Sequence, residues 1–147
     1  MKAAFLLTFS LLLLHIGHAQ EANNNNKPTI VKVPFSTVEI SPVYPGCKGS
    51  TNEAIKKCTQ ESIRSFLLAH FNQELLKHRN KRLGIHFLIT SSGAITDISA
   101  TIPHKYLEEE IIRIVSLLPN MEPGERRGEK VGVLYGTILD YSEREKS

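Results

Sequence analysis

The chain has only two cysteines, Cys47 and Cys58, and little excess of either charge. Its 18 Lys and Arg against 15 Asp and Glu leave a formal +3, and Lys2 is the only charged residue before Gln20, so losing that segment lowers the balance to +2. So weak a positive charge does not make the electrostatic footprint of a nucleic-acid binder. Apolar runs are equally scarce: after Leu14 none approaches the roughly 20 residues that a spanning helix needs. No Gly-x-Ser-x-Gly elbow, phosphate-binding glycine loop, dinucleotide fingerprint or His-Glu-x-x-His occurs. An enzyme is therefore the least supported class, and the sequence offers no catalytic residue, no cofactor and no metal site. His70, His78, His86 and His104 are scattered without ligand spacing. Glu108, Glu109 and Glu110 are contiguous, so on a helix they point in different directions and read as a solvated, charged helix start rather than as acid-base machinery.

What is present begins at the N-terminus. Lys2 is followed by an apolar run from Ala3 to Leu14 and then by Gly17-His18-Ala19, which predicts a secretory signal over residues 1–19 with cleavage after Ala19. Retention as an inner-membrane anchor is the competing reading, and His15 and His18 interrupt the run it would require. No cysteine follows Ala19, so the lipid-anchor pattern is absent and the expected product is a soluble, exported chain. In an oxidising compartment Cys47 and Cys58 are expected to form a disulfide rather than remain free or serve as a redox or zinc pair. Closing so short a loop stabilises a fold by roughly 2 to 3 kcal/mol.

Residues 20–32 form a polar leader, including Asn23 to Asn26, too poor in apolar area to fold. From Thr29 to Glu39 the composition suits a strand, but Pro34 cannot donate to a ladder, so this is an edge strand or an extended arm. Ser50 and Glu53 stand at capping-box spacing, and a helix starts near Thr51. Ile55, Cys58, Ile63, Phe66, Leu67, His70, Phe71 and Leu75 recur with helical period, in one helix or in two pieces meeting near Thr59. Leu83, Ile85, Phe87 and Ile89 then alternate as a strand. A turn at Ser91-Ser92-Gly93 leads to a returning strand over Ala94 to Ile102, with a bulge near Asp97 to restore its register. A second helix follows from Tyr106 and is stopped by Pro119. Pro123-Gly124 and Gly128 frame a polar loop before a last strand carrying Val131, Val133, Tyr135, Thr137 and Leu139. The order predicts an α+β fold, two helices on one face of a small three-stranded antiparallel sheet with an extended N-terminal arm.

Several of these runs together resemble the C-terminal domain of TonB, in the form common among Bacteroidetes-type energy transducers. The resemblance covers roughly Val33 to Tyr141, with residues 142–147 as a polar tail. Pro34-Phe35, Val43-Tyr44-Pro45-Gly46-Cys47 and Cys58 look like the paired-cysteine entry of that subfamily. Ser92-Gly93-Ala94-Ile95 is similar to its short hairpin turn. Ile112-Arg113-Ile114-Val115, Leu117-Leu118-Pro119, Met121, Pro123-Gly124, Gly128 and Val131 resemble its helix, proline stop, loop and final strand. The sequence departs from the family where an anchor and a long proline-rich spacer normally stand.

The resemblance implies a periplasmic module for transmembrane transport. Its last strand would take a short peptide, the TonB box of an outer-membrane receptor, as an added strand. The residues implied are Val131, Val133, Leu134, Tyr135, Gly136, Thr137 and Ile138, with Gly132 and Gly136 allowing close backbone approach. The competing reading is a plain hydrophobic edge, covered by the N-terminal arm or by a second copy in a homodimer. Lys77, Arg79, Lys81 and Arg82 form the one notable charge run, a solvated helix end or a contact for an anionic envelope surface or acidic partner. A free-standing envelope interaction or structural domain without energy transduction is the alternative function.

Overall fold

The computed structural model describes residues 31–76, 82–102 and 104–140. The expected signal over 1–19, most of the leader, the tail, and Lys77, Arg79 and Lys81 lie outside the described residues. Eight elements follow in the order β1 (Lys32–Pro34), α1 (Asn52–His70), a 3-10 turn (Gln73–Leu76), β2 (Arg82–Ile89), β3 (Ile95–Thr101), α2 (Lys105–Ser116), β4 (Gly124–Arg126) and β5 (Glu129–Asp140). The α+β class is as the sequence predicts. The sheet is not: it has five strands and is mixed, in the order β1, β5, β2, β3, with β4 also paired to β5.

Two additions account for the difference. The N-terminal arm docks as β1, parallel to β5, with Lys32, Val33 and Pro34 opposite Gly132, Val133 and Leu134. Pro34 is tolerated because β1 is an edge strand and ends there. The polar loop after Pro123 is a hairpin, β4 to β5, turned by Arg127 and Gly128 at φ 54° and 77°. Two consecutive positive φ values are what a tight two-residue hairpin requires. Arg127 carries no such preference, which is why the hairpin reads as a loop in sequence.

Inward positions of β2 and β5 alternate as predicted. Leu83, Ile85, Phe87, Ile89, Val133 and Leu139 are essentially inaccessible and share one core with Ile63 and Leu67 of α1 and with Leu107, Ile111, Ile114 and Val115 of α2. Both helices therefore cover the same face. Removing a side chain of this size from water stabilises by about 1.5 to 3 kcal/mol. The β2–β3 register shifts between His86 and Leu88, with Asp97 on β3 at φ 51°, so the out-of-step Ile95 and Ile98 are reconciled by a bulge at the expected place.

Helix α1 is one continuous helix, not two. Its cap is Thr51, whose hydroxyl accepts the Ala54 N–H; with Ala54 rather than a carboxylate at that position, the expected capping box of Ser50 and Glu53 is not formed. Thr59, the suspected break, is fully buried. Its hydroxyl donates to the Pro42 carbonyl and accepts the Tyr44 N–H, both at 3.1 Å. The segment Ile40 to Cys47 is thus tied to α1 by Thr59 and by the Cys47–Cys58 disulfide, whose Cα atoms are 5.8 Å apart. On its other side Ile40 and Val43 exchange main-chain hydrogen bonds with Glu125 and Glu122.

Glu110 is not the solvated carboxylate that the sequence suggests: its side chain is 10% exposed and takes Arg113 at 2.7 Å on both oxygens. It also accepts the Asn72 N–H, while Arg113 donates to the His70 carbonyl. Residues of α2 thereby satisfy groups left over at the end of α1. The Arg113 hydrogen bonds, aided by the Asn72 N–H, outweigh burial and hold the Glu110 carboxyl below the usual carboxylate range.

Two outcomes follow for stability. Glu110→Gln is expected to cost about 1 to 2 kcal/mol at neutral pH. Because a depressed carboxylate contributes stability above its unfolded pKa and loses it on protonation, the difference between variant and parent should vanish as pH falls below the ordinary carboxylate range, in urea titrations over that series. Gly93 has φ 84°, and a Cβ there would collide with the Met121 carbonyl. Gly93→Ala is expected to lower stability by roughly 2 to 4 kcal/mol in the same assay.

Candidate functional site

The residues expected to bind a partner all lie on β5, but the strand does not present them together. Val131, Val133 and Tyr135 point into the core at 6%, 0% and 3% exposure, while Leu134 and Ile138 stand out on the opposite face at 44% and 52%. The outer face of β5 therefore presents Leu134 and Ile138, with Gly136 between them. Thr137 is half-buried and hydrogen-bonds Tyr135.

Nor is β5 a simple edge. One side is occupied by β2 along Val133 to Asp140. On the other, Gly132 N–H donates to the Val31 carbonyl and the Leu134 carbonyl accepts the Phe35 N–H, at 3.0 and 2.9 Å. The N-terminal arm thus covers the first part of the strand, one of the two readings that the sequence left open. Gly132 faces Lys32 across this pairing and is not open to a partner. Beyond Leu134 the arm turns away, with Thr37 and Val38 donating back to the Pro34 carbonyl.

Main-chain groups alternate sides along a strand. Since Gly132 and Leu134 direct theirs to β1, Gly136 and Ile138 direct theirs to the same side, where no strand pairs with β5 among the described residues. The open edge is therefore short. At its start lies a groove of about 460 Å³, bounded by Pro34, Phe35 and Ser36, by Leu134 and Gly136, and by Glu53, Lys56 and Gln60 of α1. One wall is strand backbone and the other is a polar helix face. Its chemistry is that of hydrogen bonding and charge recognition.

Gly136 serves a purpose other than partner approach. A Cβ there would lie 2.9 Å from Nδ1 of His86, so the missing side chain makes room for the His86 ring. His86 and Gly136 border a shallow outer-face trough of about 830 Å³, with Arg82, Gly84, Thr101 and Ile138. Of the expected basic surface only Arg82 is described, and it pairs with Asp140 at 3.6 Å. Among the described residues no group of His, Cys, Asp and Glu is arranged to hold a metal ion.

Behind the edge, Tyr135 is the rigid element. Its ring packs edge-on to Phe35 at 5.0 Å and stacks on Phe87 at 4.9 Å, so one aromatic row joins the residue that follows β1 to β5 and β2. Such pairs add about 0.5 to 1.5 kcal/mol beyond area burial. The sequence marks Tyr135 only as one inward position among several, and the meeting of Lys56 and Gln60 with the β5 edge has no local signal.

Burial pushes the Tyr135 phenol up to about 12, against smaller opposing effects of Thr137 and Arg64. An unfolded tyrosine ionises near pH 10, so the stability that Tyr135 contributes is whole below about pH 10 and is lost as pH rises toward 12. Tyr135→Phe is expected to flatten most of that decline in urea midpoints, leaving the part due to Tyr44, whose phenol burial also raises. Set against protein-family models, curated proteins and solved structures, the chain matches none of them.

Proposed function

We propose that this protein is a periplasmic binding module that takes an extended peptide as an added strand along β5, beyond the end of β1. The observation that carries the reading is the outward direction of the Gly136 and Ile138 main-chain groups on a strand whose neighbour stops at Pro34. A peptide laid there continues the line of β1 and satisfies groups that otherwise rely on solvent. Each such hydrogen bond contributes about 0.5 to 1.5 kcal/mol net, so a short strand with few bonds makes a weak, exchangeable complex. Leu134 and Ile138 supply apolar contact on the outer face. The likeness of Val43 to Cys58 and of Ile111 to Val131 to the TonB C-terminal domain supports the TonB box of an outer-membrane receptor as the peptide, and thus a part in transmembrane transport.

The test is an NMR titration of the protein with receptor-derived peptides. Amide shifts centred on Gly136 and Ile138, with slowed hydrogen exchange there, are expected. Peptides N-methylated at the alternate residues that face β5 should not bind, because the main chain supplies the affinity. Failure of every such peptide to bind, or binding unaffected by N-methylation in either register, overturns strand addition.

A further inference from the structure

The groove at the start of the open edge holds an unevenly matched ion pair. The Lys56 side chain is 13% exposed, whereas Glu53, its partner at 3.3 Å, is 81% exposed. The Lys56 ammonium also donates to the Ser36 carbonyl at 3.3 Å. Both contacts are longer than the 2.7 to 2.9 Å usual for charge-assisted bonds. An ammonium has three donors and these contacts use two. The cation is held inside the groove, while its counter-ion sits in water on a flexible stem.

A strand added along β5 alternates its side chains between two faces. One set stands on the outer face beside Ile138. The other faces α1, whose Lys56 and Gln60 line the groove opposite Gly136. A carboxylate on that inward side chain reaches a cation already largely shielded from solvent, where screening by salt is weaker than at an open surface. We infer that the groove selects peptides bearing an acidic side chain on the face turned to α1, with Lys56 as its counter-ion and Glu53 as the internal carboxylate that it displaces.

This selection rests on the strand-addition reading and is tested apart from it. Capped hexapeptides of alternating Val and Thr, amidated and acetylated so that the ends carry no charge, are prepared with a single Glu or Gln at each position in turn. Their affinities for the protein are measured by NMR titration. At one inward position the Glu peptide should bind about tenfold more tightly than its Gln twin. Lys56→Gln should abolish the difference, Lys56→Arg should keep it, and Glu53→Gln should strengthen the Glu peptide about threefold by removing its competitor. A merely structural Lys56 does not explain that last gain. Equal binding of Glu and Gln peptides at every position, or loss of affinity in Glu53→Gln, overturns the selection while leaving strand addition standing. No binding by any hexapeptide overturns both.

Discussion

Every strand except β3 is held by β5. It pairs with β2 over most of its length, with β1 in parallel at its beginning, and with β4 through a tight hairpin. Its inward residues Val131, Val133, Tyr135 and Leu139 join those of β2 in the one core that both helices cover. A strand so placed cannot move without unpairing three others. That pairing is what makes the remaining open stretch a defined surface rather than a fraying end.

Helix α1 is fixed by a different kind of contact. Thr59, Asn52, Lys56 and Cys58 each tie it to the segment between β1 and its own start: Asn52 accepts the Ser41 N–H at 2.7 Å, Thr59 and Lys56 reach carbonyls, and Cys58 is covalently bonded to Cys47. Asn52, Lys56 and Thr59 lie on the same stripe of the helix as the core residues Ile63 and Leu67, so the inward face of α1 is polar over its first turns and apolar further on. The polar links position the Glu53, Lys56 and Gln60 wall relative to Phe35 and Ser36, and so set the width of the groove that adjoins β5.

How much of the β5 edge is open depends on where one strand stops. β1 covers Gly132 to Leu134, its last ladder bond comes from the Phe35 N–H, and the chain then turns off as Thr37 and Val38 donate back to the Pro34 carbonyl. That turn leaves the main-chain groups of Gly136 and Ile138 facing outward. An edge left open in this way must be used or guarded, because it is a template for association. Glu53, Lys56 and Gln60 of α1 stand beside the opening.

By itself the sequence determined the α+β class, both helices, the three long strands, the bulge at Asp97, the turn at Gly93 and the disulfide pair. Each depends on spacing within a dozen residues: period two in β2, period 3.6 in α2, an out-of-step pair at Ile95 and Ile98. Tertiary structure decided the rest. The parallel docking of β1, the Arg127-Gly128 hairpin, the burial of Glu110 against Arg113 and the division of β5 into a covered and an open half join residues far apart in the chain. Local pattern states which way a side chain faces, but not which distant backbone will lie beside it. The last strand was legible as a strand, and its usable edge only after the N-terminal arm had taken its place.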